Sequence, residues 1–150
     1  REFDPQPIAA ASLAQVHRAV TVDGEEVAVK IQYPWLEQQV RQDMQTVSLL
    51  ARMVGHLFPA FEYSWLLPDF ADTLGFELDF IQEATNSDRV KRMLSNRADV
   101  YVPSIRWDLT TKRMLVMEFI HGCKVNDLEK LEQMKVDPAK VASTVARTFG

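Results

Sequence analysis

Residues 7–32 read PIAAASLAQVHRAVTVDGEEVAVKIQ: a strand, an alanine-rich turn, a second strand, a hairpin and a third strand that carries a lysine. Asp23-Gly24 marks the hairpin, because this dipeptide favours the two-residue turn whose central positions both need φ > 0, and apolar or β-branched residues flank it on each side. The two-residue period of a strand then sets the faces. Ala28 and Lys30 share one, while Val27, Val29 and Ile31 share the other. A small residue beside a lysine suits a nucleotide pocket, where the alanine leaves room for a flat base and the ammonium reaches phosphates. Taken singly, such a lysine is also what the wet face of any antiparallel hairpin carries.

The turn upstream narrows the choice. Protein kinases place a glycine loop, G-x-G-x-x-G, between their first two strands and follow it with a V-A-I-K strand. Here Ala9, Ala11 and Ala14 stand at the three glycine spacings, Val16 comes two residues later, and Val27-Ala28-Val29-Lys30 follows. With alanine at all three sites, the run from Ala9, Ala10, Ala11 and Ser12 to His17 resembles the UbiB-type (aarF-domain) atypical kinase-like family linked to coenzyme Q biosynthesis, whose alanine-rich loop replaces the glycine loop. Each Cβ excludes most conformations with φ > 0 and keeps the backbone from approaching a triphosphate as closely as glycine can. A stiffer loop with altered nucleotide handling is therefore expected. The alternative for these alanines is a buried packing turn.

Composition excludes several classes. The 47% hydrophobic and 25% charged residues are those of an ordinary globular protein. The net charge is −4 and the 17 Lys and Arg are dispersed, so neither a nucleic-acid stripe nor a polybasic membrane patch is present. No apolar run approaches about 18 residues, and no spanning helix is expected. Cys123 is the one cysteine, which rules out an internal disulfide, and His17, His56 and His121 lack ligand spacing, so no metal is assigned to side chains. The chain opens on Arg1 without a methionine and its last helical pattern runs into Gly150, so it is expected to be a fragment of a longer protein.

Phe3 to Ile8 reads as a short first strand confined to an edge by Pro5 and Pro7. After the lysine strand, Pro34 suits a first helical turn. Leu36, Val40, Met44, Val47, Ala51 and Val54 then recur at three and four, the stripe of an amphipathic helix docked by that face and ending before Pro59. An aromatic linker with Phe58, Phe61, Tyr63 and Trp65 follows, read as sealing a core, with a lipid or membrane surface as the other partner it could meet.

A second helix is expected from Pro68-Asp69 to Leu94, with Asp79 and Glu83 on nearly one face and Glu77 turned away. Like charges four residues apart cost a few tenths of a kcal/mol unless a cation offsets them, and Lys30 or Mg²⁺ with phosphate is the candidate. Kinases hold the strand lysine with a glutamate of the following helix, so Glu77 or Glu83 should pair with Lys30. The family resemblance extends here: its E-x-D is present as Glu77-Leu78-Asp79, and its E-A-x-N as Glu83-Ala84-Thr85-Asn86.

Val100 to Trp107 is an extended, alternating segment, and Arg113 to Phe119 a buried strand closing an antiparallel sheet of about five. Met117-Glu118-Phe119-Ile120-His121-Gly122 looks like a kinase hinge, with Met117 as the bulky residue at the back of the pocket and Glu118 and Ile120 offering main-chain hydrogen bonds to adenine. Asn126-Asp127 begins a short helix, and Asp137-Pro138 caps and starts another with Val141, Ala142, Val145, Ala146 and Phe149 on one side.

The fold class expected is α+β, a protein-kinase-like N-terminal lobe over residues 1–122 with an inserted helix, and the start of a helical C-terminal lobe over residues 123–150. The resemblance implies that the whole protein binds ATP with Mg²⁺ through the alanine loop, Val16, Ala28, Lys30, Glu77, Asp79, Glu83 and the hinge, as a kinase or ATPase in quinone or mitochondrial lipid metabolism. The catalytic and metal-holding loops of that family belong to the second lobe and do not occur in this stretch. The setting it implies is mitochondrial, with plastid or bacterial membrane association as alternatives. The other functional readings are a non-catalytic pseudokinase or lipid-binding scaffold, and an unrelated α+β protein that binds no nucleotide.

Overall fold

The structure, a computed structural model, describes residues 1–58, 73, 75 and 78–149. The hairpin joins β3 (Ala14–Val20) to β4 (Glu26–Gln32) in antiparallel register from Val20↔Glu26 to Ala14↔Gln32. Its tip differs from the expected two-residue turn. Gly24 has φ +87° while Asp23 stays at negative φ. The Gly24 amide donates to Thr21 O at 3.1 Å and the Thr21 amide to Glu25 O at 2.9 Å, which makes a three-residue loop closed by a left-handed glycine.

The expected first strand is split. β1 (Glu2–Phe3) pairs with Val20 and Ala19, and β2 (Ala9–Ala10) pairs with Val16 and Gln15, both along the outer edge of β3. Between them Pro5 and Pro7 offer no amide to the ladder, so pairing lapses and resumes. β5 (Met114–Glu118) lies on the other side of β4 and completes a five-stranded antiparallel sheet of order β1-β3-β4-β5, with β2 beside β3. The segment expected as a further strand, around 100–107, contributes a single bridge, Ile105↔Met117, flanked by Arg106 N to Val116 O and Glu118 N to Ser104 O, both at 2.9 Å. Pro103 lacks the amide that would extend it.

The helix α1 (Leu36–Leu57) forms as its periodicity predicts, two residues later than Pro34, but its stripe is only partly covered. Leu36 is buried whereas Val47 and Val54 are exposed, so amphipathicity here does not report packing against the described residues. The second expected helix is interrupted. Residues 73 and 75 are helical, Leu78 is a turn and Asp79 is extended (φ −109°, ψ 98°), so α2 runs only over Phe80–Met93. Asp79 caps it, its Oδ1 accepting from the Ile81 amide at 2.9 Å, and the side chain stabilises the break because it satisfies an amide that has no partner within the helix. Asp79 and Glu83 therefore do not share a helix face. Glu77 and most of the aromatic linker lie outside the described residues.

α2 lies on the face of the sheet that carries Lys30. Phe80 and Ala84 are buried against Ala14 and Leu115, with Ile105 and Met117 beside them; alanines on both helix and strand let the two backbones come close. The opposite face carries Val27, Val29 and Val116 with Ala19, Ile31 and Met114, as the alternation required. Two short helices follow, α3 (Leu128–Gln133), capped by Asp127, and α4 (Pro138–Phe149), whose Ala139 amide is capped by Asp137. None of the residues of α4 is buried. The helix meets the turn at 97–99, where Asp99 accepts from Arg97 and Thr144 and lies 3.6 Å from Arg147 Nη2.

Candidate functional site

Strand register assembles the site. Val16↔Lys30↔Leu115 and Arg18↔Ala28↔Met117 form two cross-strand rows, and residues directly opposite one another point to the same face. Val16, Ala28, Lys30 and Met117, four of the expected residues, are thus brought to one surface. Ala9 pairs with Val16 and stands over the end of that row. The loop closes through Ala11 N to Ala14 O at 2.8 Å, and Ala9, Ala10, Ala11 and Ser12 are exposed while Ala14 is fully buried. None of these residues adopts φ > 0, the backbone behaviour expected when alanine replaces glycine.

Of the two candidate glutamates, Glu83 lies within the described residues and meets Lys30, while Glu77 lies outside them. Lys30 Nζ donates to both carboxylate oxygens of Glu83 at 2.7 Å. Glu83 stands in the first turn of α2, where the helix dipole favours negative charge, and the Phe80 ring lies 4.8 Å from the ammonium. The Lys30 side chain is 22% exposed and that of Glu83 44%, so the pair is open to an incoming anion. Asp79 has a different role. One oxygen caps α2 and the other lies 3.9 Å from Lys112 Nζ.

At the other end of the face, Met117 packs on the α2 core and β5 stops at Glu118. Glu118 does not offer its amide, which donates to Ser104 O; its carbonyl has no hydrogen-bond partner among the described residues. Its carboxylate is turned to the Val27 face, where it accepts from Tyr101 Oη and the Ser104 amide, and the Tyr101 hydrogen bond holds its carboxyl below the usual range. The Ile120 amide has no hydrogen-bond partner among the described residues.

Four contributors were not anticipated. Gln32, on the Lys30 face, is buried and donates to Leu78 O and Lys112 O. Phe80 combines core and cation contact. Arg18 and His121 both hold the Glu26 carboxylate, His121 Nε2 lying 2.6 Å away, and Arg18 foremost depresses its pKa; this ties the segment after β5 to the start of β4. Strand alternation places Gln32, Arg18 and Glu26 on the Lys30 face, but nothing local indicates their distant partners.

An ammonium paired with a glutamate, a small alanine beside it, a bulky methionine behind and free main-chain groups at a strand end define a protein-kinase-like amino-terminal lobe. In agreement, the Mycobacterium tuberculosis protein Rv3197, solved in complex with erythromycin, superposes with a TM-score of 0.68 at 28% identity, over 85% of this chain and 32% of that one. Residues 1–150 match the ABC1 atypical kinase-like domain, and the chain belongs to that family. AarF domain-containing protein kinase 1 of Xenopus laevis is 40% identical over 148 residues, covering 99% of this chain, and its Mus musculus counterpart 41% identical over 147 residues, covering 98%. The chain spans 28% of the length of each.

Proposed function

We propose that this chain is the nucleotide-covering lobe and hinge of an atypical kinase-like ATPase, and that the whole protein binds ATP with Mg²⁺. The bidentate Lys30–Glu83 pair carries the reading, because it fixes an ammonium on the one sheet face that also offers a small residue and a strand end. Lys30 would meet the phosphates, Ala28 and Val16 the base, and the Glu118 carbonyl and Ile120 amide its polar edge. No group of three potential metal ligands occurs among the described residues. By resemblance to the family, whose metal-holding loops belong to the second lobe, the Mg²⁺ ligands are assigned there, where Mg²⁺ would offset charge on the phosphates. The lobe boundary falls near residue 122, with α3 and α4 opening the second lobe. By family membership the proposed role is phosphate transfer or hydrolysis in quinone or mitochondrial lipid metabolism. In the full-length protein Lys30→Ala should abolish the rise in melting temperature given by Mg-ATP; undiminished protection in that variant would refute the reading.

A second reading, a scaffold that meets a lipid surface, draws on α1. Leu49, Leu50, Met53, Leu57 and Phe58 are all more than half exposed. No described helix is long and apolar enough to cross a membrane, so such contact would lie in the interface. Flotation of the full-length protein with anionic vesicles, lost in Leu50→Glu/Met53→Glu, would support it; flotation unchanged by those substitutions would sink it.

A further inference from the structure

Gln32 is one of two buried polar residues among those described, with His17, and the site description gives it partners but no role. It is 6% exposed at the last position of β4, two residues beyond Lys30 and on the same face. Its primary amide donates one N–H to Leu78 O, in the segment leading into α2, and reaches Lys112 O at 3.4 Å, in the turn before β5. The same Lys112 carbonyl accepts from the Phe80 amide at 3.0 Å, and the Gln32 amide donates to Arg113 O at 3.1 Å. Three segments far apart in sequence thus meet on one side chain: the lysine strand, the start of the glutamate helix and the turn between them in space. Glu83 stands one turn into that helix, so whatever fixes Leu78 to Phe80 fixes where Glu83 falls relative to Lys30.

We propose that Gln32 is a positioning residue: by holding Leu78 and Lys112 it clamps α2 against β4 in the register that keeps Glu83 bidentate on Lys30. Without the clamp the first turn keeps the Phe80 ring in its core and the Phe80 amide on Lys112 O, which hold its depth, but Leu78 and with it the tilt of the helix lose their anchor. The proposal deepens the nucleotide reading, since the clamp sets the phosphate-facing ammonium, but its direct readout needs no nucleotide.

The test is acylation of Lys30 by an N-hydroxysuccinimide ester in the full-length protein, followed by mass spectrometry. Only the free amine reacts, and a carboxylate on the ammonium suppresses it. Glu83→Gln should raise the Lys30 rate about two- to fivefold, the effect of releasing the amine from a half-exposed ion pair. Gln32→Met, similar in volume but without donors, should raise it nearly as much, and the double variant should react no faster than Glu83→Gln alone. Lys130 and Lys140, on α3 and α4, should be unchanged, whereas general loosening would raise all three. Gln32→Leu, also without donors and without a new charge beside Lys30, gives the same comparison if the methionine variant fails to fold. In the wild type, the Phe80 and Ile81 amides should exchange with solvent as slowly as the sheet; exchange as fast as exposed α1 overturns the clamp. A wild-type Lys30 rate in both Gln32 variants, or an additive double variant, overturns it as well. If the acylation pattern holds but Mg-ATP protects no form of the protein, the nucleotide reading fails and the positioning role stands.

Discussion

Shortening Phe80 to alanine tests the packing that seats the site. The ring is 2% exposed and sits among Ala14, Ala84 and Leu115. Two of those neighbours are alanines, which cannot rotate into the space left, so the cavity stays open and the loss falls in the upper part of the range for such truncations, about 4–5 kcal/mol. At about 2–4 °C per kcal/mol for a unit of this size, the melting midpoint should fall by about 8–20 °C. Phe80→Leu keeps most of the apolar volume and should cost about 1–1.5 kcal/mol, plus about 0.5–1 kcal/mol for the ring's contact with the Lys30 ammonium. Urea unfolding followed by circular dichroism measures both. A loss below about 2 kcal/mol for the alanine variant would show that α2 is not held by this core, and the reasoning that links Ala14, Phe80 and Lys30 would fail.

The Lys30–Glu83 pair is half open to solvent, so a double-mutant cycle on stability should return a coupling of only about 0.5–1 kcal/mol, while the same cycle on Mg-ATP affinity should be larger; equal values would argue against a site built around it. The Glu26 carboxyl is depressed below its ordinary value of 4.5, chiefly by Arg18 and then by His121. A depressed carboxyl contributes stability that is present above its unfolded value and is lost as pH falls through the folded one, so the melting difference between wild type and Glu26→Gln should shrink as pH is lowered below 4.5. Gly24→Ala meets no atom within 4 Å but keeps a left-handed backbone, and should cost about 1–2 kcal/mol in the urea assay. Asp79→Ala removes the cap of α2 and should cost about 1 kcal/mol, with Asp79→Asn nearly neutral.

The parts legible in the sequence are those set by local pattern. Alternation put Ala28 and Lys30 on one face and Val27, Val29 and Ile31 on the other, and the register added Val16 and Met117 to the first. The break at Asp79 was readable too: Asp79 and Gln82 have capping-box spacing, yet the surrounding charge pattern reads as an uninterrupted helix. The two-residue turn at Asp23-Gly24 was a natural reading that the lengthened tip overrides, because Thr21 and Glu25 pair across it. For α1, periodicity identifies a stripe without identifying what it lies against. The role of Gln32 depends on partners 46 and 80 positions away, which no local pattern encodes. Family motifs supplied what periodicity could not, above all the glutamate candidates for Lys30.

The β3–β4 tip offers a handle for studying the protein. Val22 is 81% exposed and the space around Gly24 is open. Glu26 already stands four strand positions from Lys30, about 13 Å at 3.3 Å per residue, and the tip lies farther out. A short epitope or a fluorophore grafted between Val22 and Asp23 would therefore project from the end of the sheet without crowding the ammonium, and could follow occupancy in living cells.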